Sequence, residues 1–216
     1  MNNKSDTNLI RHYCHIHKGY FFDVKQLKRT DFNFISESNF RKYVSRMVEE
    51  KELTYIDKGF YYIGSELPLD IDEKIEKRFI GDPYAIYGGE ALLWKLGIKT
   101  EKPETVTILT SYGGTNRRIK NIQLEYKSFT ILSKPLSVIL ELINSQKLLS
   151  EDDSSTYLMK IVELMPTDIE FELNEMSINY PRIVYTRLAN YLIQMNISNE
   201  VMAWYENKLR NNSCKE

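Results

Sequence analysis

From Ser36 to Ile63 the chain reads SESNFRKYVSRMVEEKELTYIDKGFYYI, and the period of its apolar positions changes midway. Phe40, Val44, Met47 and Val48 fall at i, i+4, i+7 and i+8, which predicts an amphipathic helix with Ser36 as its N-cap. After Leu53, the run from Tyr55 to Ile63 predicts two short strands around a three-residue Asp57-Lys58-Gly59 loop, with Gly59 in the left-handed conformation. Upstream, Leu9, Tyr13 and Ile16 share helical spacing, and Gly19 stands where a C-terminal cap is expected. Tyr20, Phe21 and Phe22 predict a strand that pairs with the hairpin, and Asp23 caps a brief helix carrying Val24 and Leu27. Helix, strand, helix, helix, hairpin over residues 1–66 is the order of a winged helix-turn-helix.

Residues 67–80 are charged, opened by Pro68 and closed by Gly81-Asp82-Pro83, and predict a linker. A second domain over 81–216 begins with Tyr84, Ala85, Ile86 and Tyr87, then Gly88-Gly89, then a helix EALLWKL ended by Gly97. Val106, Ile108 and Leu109 predict a buried strand broken by Ser111-Tyr112-Gly113-Gly114, followed by β-like runs from Arg118 to Tyr126 and from Ser128 to Leu132. The remainder is helical in pattern. Leu136, Ile139, Leu140 and Ile143 follow Pro135; Leu158, Ile161, Val162 and Met165 repeat the spacing. Thr167 and Glu170 have capping-box spacing ahead of Ile169, Leu173 and Met176. Pro181 opens a helix with Val184, Leu188, Tyr191, Leu192 and Met195, and Val201, Trp204, Tyr205 and Leu209 mark a last one. The expectation is an α+β chain: an N-terminal winged helix-turn-helix, then a mixed domain with a small sheet and a C-terminal helical bundle.

Charge adds direction to this pattern. The whole chain is nearly neutral, with 29 basic and 30 acidic side chains, yet Ile10 to Arg46 holds eight Lys and Arg against three Asp and Glu, a net of +5. A local basic face of this kind attracts a phosphate backbone. Opposite the apolar stripe of the predicted helix stand Ser38, Asn39, Arg41, Lys42 and Ser45, side chains that bond base edges and phosphates. They make double-stranded DNA the expected partner. The plain alternative is that any small amphipathic domain exposes some Lys and Arg.

Other chemistries fare less well. His12, Cys14, His15 and His17 invite a metal reading, but four ligands within six residues of one helix point around it rather than converge, so Cys14 and His17 are at most a pair. No metal site or cofactor is expected. Cys14 and Cys214, the only cysteines, lie at opposite ends of the chain, and neither a signal-type apolar run nor a stretch of about 18 apolar residues is present. A cytoplasmic protein without a membrane partner is expected. A Gly-Gly before a helix and a strand also opens nucleotidyltransferase sites, whose strand carries two carboxylates for Mg²⁺. Here Thr105 to Thr110 has none, and all three His fall in the first helix, so no enzyme and no catalytic residue is expected. Asp152-Asp153 and Asp168, Glu170 and Glu172 are read as solvated helix starts. A remaining alternative is a ligand-sensing regulator whose second domain lines a pocket with Tyr84, Tyr87, Trp94 and Tyr112.

Two stretches carry a family likeness: SRMVEEKELTYIDKGFYYI, and the central GGEALLWKLGIKTEKPETVTILTSYGGTNRRIKNIQLEYKSF, with YPRIVYTRLANYL in support. Through them the chain resembles the AbiEi family of antitoxins. The resemblance implies a bacterial repressor of its own operon that also counters a nucleotidyltransferase toxin encoded beside it, in a type IV toxin-antitoxin system tied to phage defence. It implies a DNA-binding winged helix at the promoter operator and a C-terminal antitoxin domain that acts without a tight toxin complex. By position, Ser38, Asn39, Arg41, Lys42 and Ser45 become recognition-helix contacts and Lys58 the wing contact. Arg117, Arg118 and Lys120 stand where relatives show a basic hairpin, an antitoxin-face candidate. The chain departs from the family where relatives often end the third helix with Gly: residues 50 to 52 are Glu-Lys-Glu.

Overall fold

The computed structural model describes residues 3–83, 85–110, 116–127, 134–165 and 180–195. The fold is mixed α+β, helices with two small sheets, and divides into two compact units, Met1–Glu73 and Lys74–Glu216. Among the described residues no helix is long and apolar enough to cross a membrane.

The first unit runs α1 (Asn3–Ile16), β1 (Phe21–Asp23), α2 (Val24–Thr30), α3 (Glu37–Glu49), β2 (Leu53–Asp57) and β3 (Phe60–Ile63). Its sheet is antiparallel in the order β1-β3-β2, so the strand after α1 does join the hairpin, Phe22 opposite Tyr61 and Tyr61 opposite Tyr55. Gly19, at φ +89, ends the first helix and donates its N–H to the Ile63 carbonyl, tying that turn to the sheet. The Asp23 carboxylate accepts from the backbone of Lys25 and Gln26 and starts α2 as expected.

Two expectations shift here. Asp57 pairs with Phe60 as part of β2, the register slipping between Tyr55 and Asp57, so the hairpin loop is the two residues Lys58-Gly59 rather than three. In α1 the buried residues are Thr7, Ile10 and Cys14, while Leu9 and Ile16 of the expected stripe are 46% and 60% exposed. The two stripes lie about 100° apart on the helix, and packing against Phe22, Phe40 and Met47 selects the one through Ile10 and Cys14.

The segment expected as a linker contains α4 (Ile71–Ile80), with Ile71 and Ile75 buried one turn apart, and the boundary between units falls inside this helix. The second unit continues with β4 (Ile86–Tyr87), α5 (Gly89–Lys95), β5 (Val106–Thr110), β6 (Arg117–Ile119), β7 (Ile122–Tyr126), α6 (Lys134–Asn144), a 3-10 turn at Ser145–Leu148, α7 (Ser154–Leu164) and α8 (Arg182–Gln194). Its sheet has the order β4-β5-β7-β6, with β5 and β7 parallel and the outer pairs antiparallel. The run from Arg118 to Tyr126 is thus a hairpin turning at Lys120-Asn121, not one strand. Leu92, Leu93, Ile139, Ile143, Tyr157, Ile161, Val184 and Leu188 form a common core from α5 to α8. In α7 the core takes Tyr157 and Ile161 and leaves Leu158 and Val162 exposed, against the expected stripe, with the Tyr157 ring edge-on to Tyr191 of α8. The expected break at Ser111 to Gly114, the run Ser128 to Leu132, the capping box at Thr167 and Glu170, the acidic residues Asp168, Glu170 and Glu172, the last helix through Trp204, and Cys214 lie outside the described residues.

Candidate nucleic-acid interface

Helix α3 is fixed at both ends by local chemistry. The Ser36 hydroxyl accepts from the Asn39 N–H at 3.3 Å, satisfying one of the four donors that a helix start leaves open. At the other end the Lys51 N–H donates to Val48 and the Glu52 N–H to Met47, the paired bonds of a Schellman cap, with Lys51 at φ +58. Glycine takes this left-handed backbone freely; the lysine takes it as well and bears its strain. Arg11 of α1 pairs with both Glu50 and Glu52, pinning the cap, and these two carboxylates hold the guanidinium pKa above its ordinary value.

Burial of Phe40, Tyr43, Val44 and Met47 orients the helix and turns the other side outward. Ser38, Arg41, Lys42 and Ser45 are exposed, and Asn39 is half-buried. Arg41 donates through Nε to the Glu37 carboxylate at 2.9 Å, one turn earlier on the same face. Lys42 has no ion pair among the described residues. Glu37 is the residue of this face that sequence reasoning passed over, although its i, i+4 spacing to Arg41 was there to read. Lys58 is exposed at the tip of the hairpin, whose turn is held by Gly59 at φ +74 and by the Val24 N–H donating to the Gly59 carbonyl.

The His and Cys side chains of the first helix do not face one way. Cys14 is in the core, its thiol pushed up to about 12 by burial, while His12 and His15 are exposed and His17 packs on the Tyr13 ring at 4.2 Å. Among the described residues no group of three or more His, Cys, Asp or Glu has the arrangement to hold a metal ion.

In the second unit the basic hairpin is not one patch. Strand alternation sends Arg117 and Ile119 to one face of edge strand β6 and Arg118 to the other. Arg117 is half-buried. Arg118 is exposed but turned back, with Nε donating to the Lys120 carbonyl at 3.0 Å and a terminal nitrogen to the Thr105 hydroxyl at 3.3 Å. Lys120 occupies the turn at φ +52.

Two of the aromatic pocket candidates, Tyr87 and Trp94, are engaged. The Tyr87 hydroxyl donates to the buried Glu76 carboxylate at 2.8 Å, and the Lys95 ammonium pairs with Glu76 at 2.9 Å while lying 4.4 Å from the Trp94 ring centre. Lys102 joins from 3.5 Å, 5.2 Å from the same ring. Burial would raise the Glu76 pKa; the hydrogen bonds from Lys95 and Tyr87 and the two lysine charges outweigh it and hold the carboxyl below its ordinary value. The Tyr87 hydroxyl is raised by burial and by that carboxylate. Tyr84 and Tyr112 lie outside the described residues.

The Gly-Gly ahead of α5 has a packing explanation. A Cβ on Gly88 would stand 2.9 Å from the Leu109 side chain, so only glycine lets the backbone approach β5, where the Gly88 N–H donates to the Thr107 carbonyl. Gly89 holds φ +54 and donates its N–H to Glu141, a carboxylate 52 positions later on α6. Glu141 is buried, and also accepts from Ser145 at 3.3 Å and pairs with Lys127 at 3.4 Å. No single-sequence signal marks Glu141 or Glu76, because Tyr87, Lys95, Lys102, Gly89 and Lys127 reach them from other, more distant parts of the chain, and Ser145 alone lies nearby. Strand β5 presents no carboxylate, and its parallel neighbour β7 carries one, Glu125, opposite Leu109. No protein-family model matches the chain, and no curated protein matches it.

Proposed function

We propose that the chain is a DNA-binding transcriptional regulator whose first unit is a winged helix-turn-helix with α3 as the recognition helix and Lys58 at the wing. The supporting observation is the α3 face: a helix capped at both ends, anchored by four buried side chains, presents Ser38, Arg41, Lys42 and Ser45 to solvent together. These are donors and acceptors suited to base edges and phosphates. The net charge of +5 from Ile10 to Arg46 favours a polyanion. The resemblance extends the proposal to an autorepressor of its own operon that counters a neighbouring nucleotidyltransferase toxin without itself being an enzyme. The carboxylate-free β5 and the packing role of Gly88 support that last point.

The test is binding of the full chain to its own promoter DNA across a salt series. Lys42→Ala is expected to weaken binding and to lower the slope of log affinity against log salt by about one. Equal affinity and slope for Lys42→Ala, Arg41→Ala and the parent would overturn the assignment of α3. Co-expression with the product of any adjacent toxin reading frame tests the antitoxin role, which predicts protection by the full chain.

A further inference from the structure

The geometry of α3 points to a division of labour between its adjacent cations: Arg41 reads a guanine base edge, Lys42 contacts phosphate, and Glu37 is the residue that positions Arg41. This rests on the proposed function and deepens it. Arg41 and Glu37 are 72% and 55% exposed, so the pair contributes little to holding the fold. Nor does the helix depend on it, since Ser36 caps the start and Phe40, Tyr43, Val44 and Met47 anchor the body. What the pair does is restrict one long side chain. The bond uses Arg41 Nε, which leaves the two terminal nitrogens as a planar fork, the shape that meets guanine O6 and N7. Ordering a free arginine on binding costs side-chain entropy, and the bond to Glu37 meets part of that cost beforehand.

Lys42 differs in each respect. It is exposed, has no ion pair among the described residues, and carries a compact charge on a flexible stem that follows a phosphate rather than a fixed pair of acceptors. The carboxylate of Glu37 has a second consequence. Placed on the DNA-facing side, it repels phosphates and lowers affinity for unrelated sequences, so the same residue that orders Arg41 also raises selectivity.

The experiment uses the full chain and a pool of randomised duplex DNA, followed by binding measurements on the enriched duplex with each base pair replaced in turn. The parent is expected to favour G·C at one position by about tenfold or more. Arg41→Lys keeps the charge and the salt slope but loses the fork, and should reduce that preference to about twofold. Glu37→Ala should lower the preference by about threefold while binding unrelated duplexes more tightly, with Glu37→Gln, which retains an acceptor without charge, falling between. Lys42→Ala should weaken all sequences alike. A melting curve on each variant separates loss of helix from loss of positioning. Parent-like base preference in Glu37→Ala or in Arg41→Lys would overturn this inference and leave DNA binding standing. Failure of the parent to enrich any sequence would overturn the proposed function and this inference with it.

Discussion

The two units use their charged residues in opposite ways. In the first, the cations of α3 and the hairpin tip face water, and the α3 ion pair is exposed on both sides. In the second, Glu76 and Glu141 are buried, Glu76 held by Tyr87, Lys95 and Lys102 and Glu141 by the Gly89 amide, Lys127 and the nearby Ser145 hydroxyl. A buried carboxylate left without partners is costly, so its partners are structural necessities. An exposed cation is stabilised by water and remains available to another molecule. The contrast agrees with the recognition role proposed for the first unit's surface and gives the two buried carboxylates of the second unit a role in internal fastening.

The sharpest way to break this comparison is Glu141→Ala, which strands the Gly89 amide and the Ser145 hydroxyl in the interior. It should destabilise the second unit by about 2–3 kcal/mol, less than a fully buried pair because the Lys127 side chain is 27% exposed and can return to water. Neither tryptophan of the chain falls within Met1–Glu73 and Trp94 lies on α5, so tryptophan fluorescence in a urea titration follows the second unit. An unshifted midpoint would show that Glu141 is not a fastening residue. Next comes Gly88→Ala, whose added methyl meets Leu109 at 2.9 Å and Thr107 at 3.2 Å; overpacking of this kind costs about 1–2 kcal/mol by the same measurement.

Acid provides a milder test. Because the folded Glu76 carboxyl titrates below its ordinary value, the unfolded chain takes up the proton first. Its contribution is therefore present above the unfolded pKa, about 4.3, and is lost as pH falls through the folded value. Stability of the second unit should decline over that acid range, and Glu76→Gln should flatten this part of the profile. A parent-like acid limb in the variant would remove Glu76 from the account.

Lys51→Gly should act in the other direction. The left-handed backbone at φ +58 costs a lysine more than a glycine, and after the extra chain entropy of glycine about 0.5–1 kcal/mol of stabilisation remains. Thermal melting followed by far-ultraviolet circular dichroism, with tryptophan fluorescence marking the second unit's transition, would reveal it as a rise in the midpoint of the other transition. The smallest stability effects are expected for Arg41→Ala and Lys42→Ala, within about 0.5 kcal/mol, since neither touches the core. A large loss of stability there would contradict the view of α3 as a face reserved for a partner.

What could be read from the chain alone were features set by neighbours in sequence. Ser36 and Asp23 cap helices through bonds two or three residues long, Gly19, Gly59 and Gly97 supply the positive φ that ends a helix or turns a hairpin, and the stripe from Phe40 to Met47 declares the inner side of α3. The exposed face of the candidate interface followed from that stripe by exclusion. Tertiary structure decided what lies beyond such reach. The α1 sequence offers two neighbouring apolar stripes, and only contact with the sheet and α3 chose Ile10 and Cys14 over Leu9 and Ile16. The parallel pairing of β5 with β7 and the burial of Glu76 and Glu141 depend on groups brought together from distant positions. Local hydrogen bonds and helical periodicity are encoded within a few residues, whereas the desolvation that fixes a stripe or a carboxylate exists only once the chain has closed around it.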